Sequence, residues 1–128
     1  MSHFSQIKTK IRNLSSLQAA LSDLGIDWKS GPANVRGYQG QTHNAEVVIE
    51  QDNQYDVGFR WNGSEYELVA DLQYWQQPWS VNGFLNQVSQ RYAYHTVRNA
   101  TSNEGFQVAE EQKNEDGSLR LVVQRWSA

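Results

Sequence analysis

The sequence predicts an α+β fold: a single domain over residues 1–128, with an antiparallel β-sheet and two α-helices packed on one face. Three observations predict it. Residues 44–71 alternate apolar and polar side chains around an Asn62-Gly63 dipeptide, the pattern of a β-meander. Leu14, Leu17, Leu21 and Leu24 recur at helical spacing, and a second helical stripe runs through Val81, Leu85, Val88, Tyr92 and Thr96. The order strand, helix, meander, helix and two closing strands then favours the α+β class, with a helix-decorated β-barrel as the alternative.

Each element has its own justification. In residues 3–12, Ile7, Thr9 and Ile11 point one way and Lys8, Lys10 and Arg12 the other, which is a half-buried strand with a basic outer face. Asn13 is placed to cap the first helix and Gly25 to end it. From Ile26 to Gln41 the glycines and Pro32 suggest short extended pieces separated by turns. Ala45, Val47 and Ile49 form the next strand, and Asp52-Asn53 turns the chain. A two-residue loop at Asn62-Gly63 would pair Trp61 with Ser64, Phe59 with Tyr66 and Val57 with Leu68, gathering Val57, Phe59, Tyr66 and Leu68 on one buried face. A helix runs from Ser80 to about Asn99, with Phe84 and Val97 widening its apolar stripe. Two strands around Glu115-Asp116-Gly117 close the chain, Phe106 and Val108 in one, and Leu119, Leu121 and Val123 in the other.

Composition excludes several functions. With no cysteine there is no disulfide, cysteine-ligated zinc, iron–sulfur cluster or thiol nucleophile. Eleven basic against fourteen acidic side chains give a net charge of −3, which speaks against nucleic-acid binding. No apolar run approaches the ~20 residues of a membrane span, and the opening residues do not read as a signal peptide. Aliphatic residues are sparse, but 5 Trp, 6 Tyr and 4 Phe supply the bulk of a core.

Four segments carry a family resemblance: Met1-Ser2-His3-Phe4-Ser5-Gln6-Ile7-Lys8-Thr9, Leu21-Ser22-Asp23-Leu24-Gly25, Gln90-Arg91-Tyr92-Ala93-Tyr94, and Gly117-Ser118-Leu119 through Arg125-Trp126. Together they resemble the hypothetical chloroplast reading frame thirty-five family of cyanobacteria and algal plastids, across nearly the whole chain. The resemblance implies a protein of the cyanobacterial cytoplasm or plastid stroma with no assigned reaction, and it brings no catalytic residues.

The residues themselves offer little catalytic chemistry. No Gly-x-Ser-x-Gly elbow and no glycine-rich phosphate loop is present. His3, His43 and His95 have no metal-ligand spacing, so neither a resident metal nor any other cofactor is expected; a metal-dependent enzyme built on these histidines is the weakest reading. The acidic stretch Glu104, Glu110, Glu111, Glu115 and Asp116, against the basic Lys8, Lys10 and Arg12, reads as solvated charge. The segment between the meander and the second helix is more informative. Tyr74, Trp75 and Trp79 surround Gln76-Gln77-Pro78, and two indoles in a connector must be either buried or displayed. As a displayed surface they would bind a protein partner. Trp79 precedes Ser80 and should staple back onto the helix, leaving Trp75 for display. A different reading places a small molecule or pigment in a cavity lined by Phe59, Tyr66, Phe84, Val88 and Tyr92.

Overall fold

The computed structural model describes residues 4–37, 42–103, 106–113 and 119–125. The chain leaves strand β1 (Ser5–Lys8) for helix α1 (Leu14–Asp23), as the leucine spacing requires. Asn13 Oδ1 accepts from the Ser16 N–H at 2.9 Å, the capping contact expected of it. At the other end Ile26 N–H reaches Leu21 C=O and Gly25 N–H reaches Ser22 C=O, both at 3.0 Å, closing a Schellman motif around the left-handed Gly25.

Four strands follow: β2 (Lys29–Arg36), β3 (Thr42–Ile49), β4 (Val57–Trp61) and β5 (Tyr66–Ala70). With β1 they form one antiparallel sheet in the order β1-β5-β4-β3-β2. A 3₁₀ turn (Leu72–Tyr74) and a connector lead into helix α2 (Val81–Asn103), where Ser80 Oγ caps the Gly83 N–H at 3.1 Å. The chain ends in β6 (Phe106–Lys113) and β7 (Leu119–Arg125), a separate two-stranded sheet that rests on α2. The expected turn at Glu115-Asp116-Gly117 lies outside the described residues.

The helix-facing side of the sheet is the main core. Leu17 and Leu21 from α1 and Phe84 and Val88 from α2 are fully buried against Val47, Val57, Phe59 and Leu68. Each such side chain contributes about 1.5–3 kcal/mol by leaving water.

Two local expectations need correcting. The stretch read as broken extended pieces is one strand, β2; its register with β3 shifts between Ser30 and Ala33, where Gly31 and Pro32 occupy a bulge on the sheet edge. A bulge on an edge strand accommodates a proline that cannot donate to the ladder, so the turn-like residues bend the strand rather than end it. In β4–β5, Phe59 pairs with Leu68 and Trp61 with Tyr66, two residues out of the expected register. Asn62 Oδ1 accepts from both Ser64 and Glu65 N–H at 2.9 Å, which holds a four-residue loop rather than a two-residue one. An even shift keeps every side chain on its face, so Val57, Phe59, Tyr66 and Leu68 are buried together as expected.

The bulge has a tertiary consequence. Val35 pairs with His43 at the far end of the β2–β3 hairpin, yet its Cγ2 lies only 2.5 Å from where a Cβ on Gly58 of β4 would stand. The hairpin therefore folds back over the second face of the sheet. Val35, Ala45 and Val48 form a small core there, with Phe4 packed against it.

Candidate functional site

The connector between β5 and α2 is built around one side chain that its own sequence does not contain. Gln51, just past the end of β3, is 6 % exposed, and its side-chain amide bonds both its own turn and the connector. Its Nε2 donates to Tyr55 C=O at 2.5 Å and to Tyr74 C=O at 3.1 Å. Its Oε1 accepts from Gln76 N–H at 3.0 Å and from Gln77 Nε2 at 2.9 Å. Asn53 adds a second bond to Tyr74 C=O, at 2.9 Å, and the Tyr55 and Tyr74 rings stack 3.9 Å apart. A buried, fully engaged amide fixes the backbones it joins, because releasing them would leave its polar atoms unpaired.

The aromatic residues of the connector take distinct positions. Trp79 packs on Phe84, ring centroids 6.3 Å apart, which is the staple expected before the Ser80 cap. Trp75 is not the freely displayed member of the pair. Its ring meets Phe84 edge-on at 5.1 Å and its Nε1–H donates to Trp79 C=O at 2.8 Å. Both indoles are half-buried against the core. It is Trp79 that borders open space: with Pro78, Leu24, Ile26 and Ile49 it lines a surface pocket of about 240 Å³. Leu72, at the head of the segment, is 39 % exposed. Asp71 just before it is buried, with Oδ1 bonded to Gln73 N–H and Oδ2 without a hydrogen-bond partner among the described residues.

Of the residues expected to line a cavity, Phe59, Tyr66, Phe84 and Val88 are core instead. Phe59, Phe84 and Val88 have no exposure and Tyr66 has 7 %, so they fill the space between sheet and α2 themselves. Tyr92 is half-buried, and its Oη accepts from the N–H groups of Arg12 and Asn13 at 3.0 and 3.1 Å. Nothing in the spacing of these residues distinguishes a ligand wall from a core, and here packing takes all of them but Tyr92.

The histidines have separate partners. His43 meets the Phe4 ring edge-on at 4.5 Å on the second face of the sheet. His95 Nε2 lies 2.6 Å from Asp23 Oδ2 in the seam between the helices. His3 lies outside the described residues, and among these no group of three or more histidine, aspartate and glutamate side chains is arranged to hold a metal ion. Arg91 joins the seam, bonding Asp23 at 3.0 Å and pairing with Glu111 of β6 while its guanidinium covers the Tyr94 ring. Burial by itself raises the Asp23 carboxyl, but the hydrogen bonds and charges of His95 and Arg91 outweigh it and hold the group below the usual carboxylate range. This is a structural ion-pair cluster linking α1, α2 and β6.

A second cluster locks the folded-back hairpin. Asp56, 1 % exposed, receives Arg36 Nε at 2.8 Å and Nη2 at 2.9 Å. The N–H groups of Arg36 and Gln51 complete its shell. Burial raises this carboxyl too, and those bonds overcome it, so its pKa is depressed. Gln51, Asp56 and Asp71 belong to no motif, and the chain's only advance signal of them was a polar residue beside a turn.

Comparison with known proteins adds context to this geometry. The family model described as "Protein of unknown function (DUF1257)" matches residues 20–122. An uncharacterized protein ycf35 of Guillardia theta is 50 % identical over 126 residues, covering 98 % of each chain. The ycf35 protein of Cyanophora paradoxa is 47 % identical over 126 residues with the same coverage. That of Pyropia yezoensis is 42 % identical over 127 residues, 99 % of each chain. No solved structure matches. No helix among the described residues is long and apolar enough to cross a membrane.

Proposed function

The chain belongs to this plastid-linked family of unknown function, DUF1257, and from that premise we propose that it is a non-enzymatic protein-binding or assembly factor of a photosynthetic cell. It would act in the cyanobacterial cytoplasm or plastid stroma. The observation that carries the reading is the pinning of an aromatic segment at the surface by Gln51. A rigid surface gives up little conformational entropy when a partner docks, so more of the contact energy appears as affinity. Leu72 and the pocket beside Trp79 and Pro78 supply the apolar contacts, and Tyr74 and Trp75 hold their shape from behind.

The test compares baits in extract from a cyanobacterium or plastid-bearing alga. Wild type, Leu72→Asp and Lys10→Glu chains are first shown to melt alike. Partners recovered by wild type and Lys10→Glu but lost with Leu72→Asp support the connector as the interface. Equal recovery by all three, or an absorbing small molecule copurifying in place of a protein, overturns it.

A further inference from the structure

A second surface, sharing no lining residue with the pocket beside Trp79, lies along the edge of the sheet. Strand β1 pairs only with β5, so its other edge is open among the described residues. An antiparallel edge strand directs the N–H and C=O of alternate residues away from its neighbour, a row of unpaired groups ready to receive another strand. β1 ends at Lys8 and the chain bends at Lys10, yet residues 9–11 stay beside β5: Ile11 C=O accepts from Tyr66 N–H at 2.8 Å, and Thr9 Oγ1 donates to Tyr66 C=O. Beside this edge is an open pocket of about 310 Å³, bounded by residues 8–11 on one side and by Leu85, Ser89 and Tyr92 of α2 on the other. Ile11 at its base is buried, and the two hydrogen bonds that Tyr92 accepts from Arg12 and Asn13 hold the pocket's far wall in place.

The charge on this edge selects its occupant. Lys8, Lys10 and Arg12 are exposed and make no ion pair with a described residue, although Glu67 stands opposite Lys8 in the ladder and offsets part of the charge. Lysines on a sheet edge deter neutral and basic strands. They leave the edge open to an acidic one.

We propose that β1 receives an extended acidic segment of another protein by strand addition, one apolar side chain entering the pocket between Ile11, Leu85 and Tyr92 and flanking carboxylates meeting Lys8 and Lys10. Main-chain bonds to the edge supply affinity; the pocket and the lysines supply specificity. Free carboxylates or phosphates alone would find charge here but no use for the strand edge.

The probe is a fluorescein-labelled peptide of about nine residues alternating Asp with Val around a central Phe, roughly the length of an ordinary strand. Anisotropy and amide chemical shifts of the full chain are the readouts. Saturable binding is expected, with shifts confined to the residues around β1 and to residues 85–92. Binding should weaken about tenfold in a Lys8→Glu/Lys10→Glu variant and again when alternate peptide amides are N-methylated, which blocks strand pairing but keeps the charge. The Leu72→Asp chain should bind as wild type does, which separates this surface from the connector. No saturable binding overturns the proposal. So does equal binding of the N-methylated peptide, of a lysine-for-aspartate peptide or of an oligothymidylate, or a dimer of the chain that disappears with Lys10→Glu.

Discussion

The β2–β3 and β4–β5 hairpins belong to one sheet and are held by opposite means. In β4–β5 the information is local. Asn62 and Gly63 close the loop, Asn62 Oδ1 gathers the next N–H groups, and alternation decides which side chains face the helices. In β2–β3 the strands pair locally, but the hairpin's position is decided from a distance. Val35 packs over Gly58, and Arg36 is clamped by Asp56, twenty residues on. One hairpin has its shape written into its turn, the other into the strand it covers. A mutation in the turn should therefore loosen the first only slightly, whereas a mutation in β4 should dislodge the second.

The largest expected effect tests the close approach of Val35. Gly58→Val would place a Cβ 2.5 Å from Val35 Cγ2 and 3.0 Å from Ala45 Cβ, so the hairpin must lift or the strand must shift. A loss of about 3 kcal/mol is expected in chemical denaturation. A change under half that would mean the hairpin is not seated on β4.

The clamp is next. Asp56→Ala leaves the N–H groups of Arg36 and Gln51 without their acceptor and should cost about 2 kcal/mol at neutral pH. Its pH dependence has a definite sign. The native pKa of Asp56 lies below its unfolded value, so its charged form contributes fully above the unfolded pKa of about 4 and is lost as pH falls through the native value. The difference between wild type and Asp56→Ala should therefore narrow on acidification below about pH 4. A gap that stays constant down to pH 2 would show that the carboxylate's charge is not what holds the hairpin.

The smallest effect belongs to the turn. Gly63 has φ +105° and open space around its Cβ position, so Gly63→Val costs backbone strain alone, about 1 kcal/mol. Hydrogen exchange should then rise in β4–β5 and leave β2–β3 unchanged. Matching losses in both hairpins would erase the distinction between them.

The same contrast explains what could be read in advance. Caps and faces were legible because their causes lie within a few residues: Asn13 and Gly25 bound α1, Ser80 starts α2, and the parity of Val57, Phe59, Tyr66 and Leu68 survives a two-residue register shift. The register itself was not legible, since a side-chain oxygen competing for loop N–H groups leaves no trace in alternation. Gly31 and Pro32 look like a break whether they interrupt a strand or bend it. The site was legible only as a place. The aromatic connector stood out, but Gln51, which fixes it, lies more than twenty residues away in a segment without a motif. Aromatic residues also look alike whether they line a pocket or fill a core, which is why Phe59, Tyr66 and Phe84 were open to both readings.

The terminal hairpin, finally, bears on the order in which the chain should open. Two strands alone are at best marginally stable in water, and β6–β7 is a separate sheet whose main packing partner is α2, with Arg91 tying Glu111 to Asp23 across the helix. The five-stranded sheet owes nothing of its ladder to these strands. Hydrogen exchange is therefore expected to be faster in β6–β7 than in the five-stranded sheet, and faster still in an Arg91→Ala chain, where the link between Glu111 and Asp23 is gone.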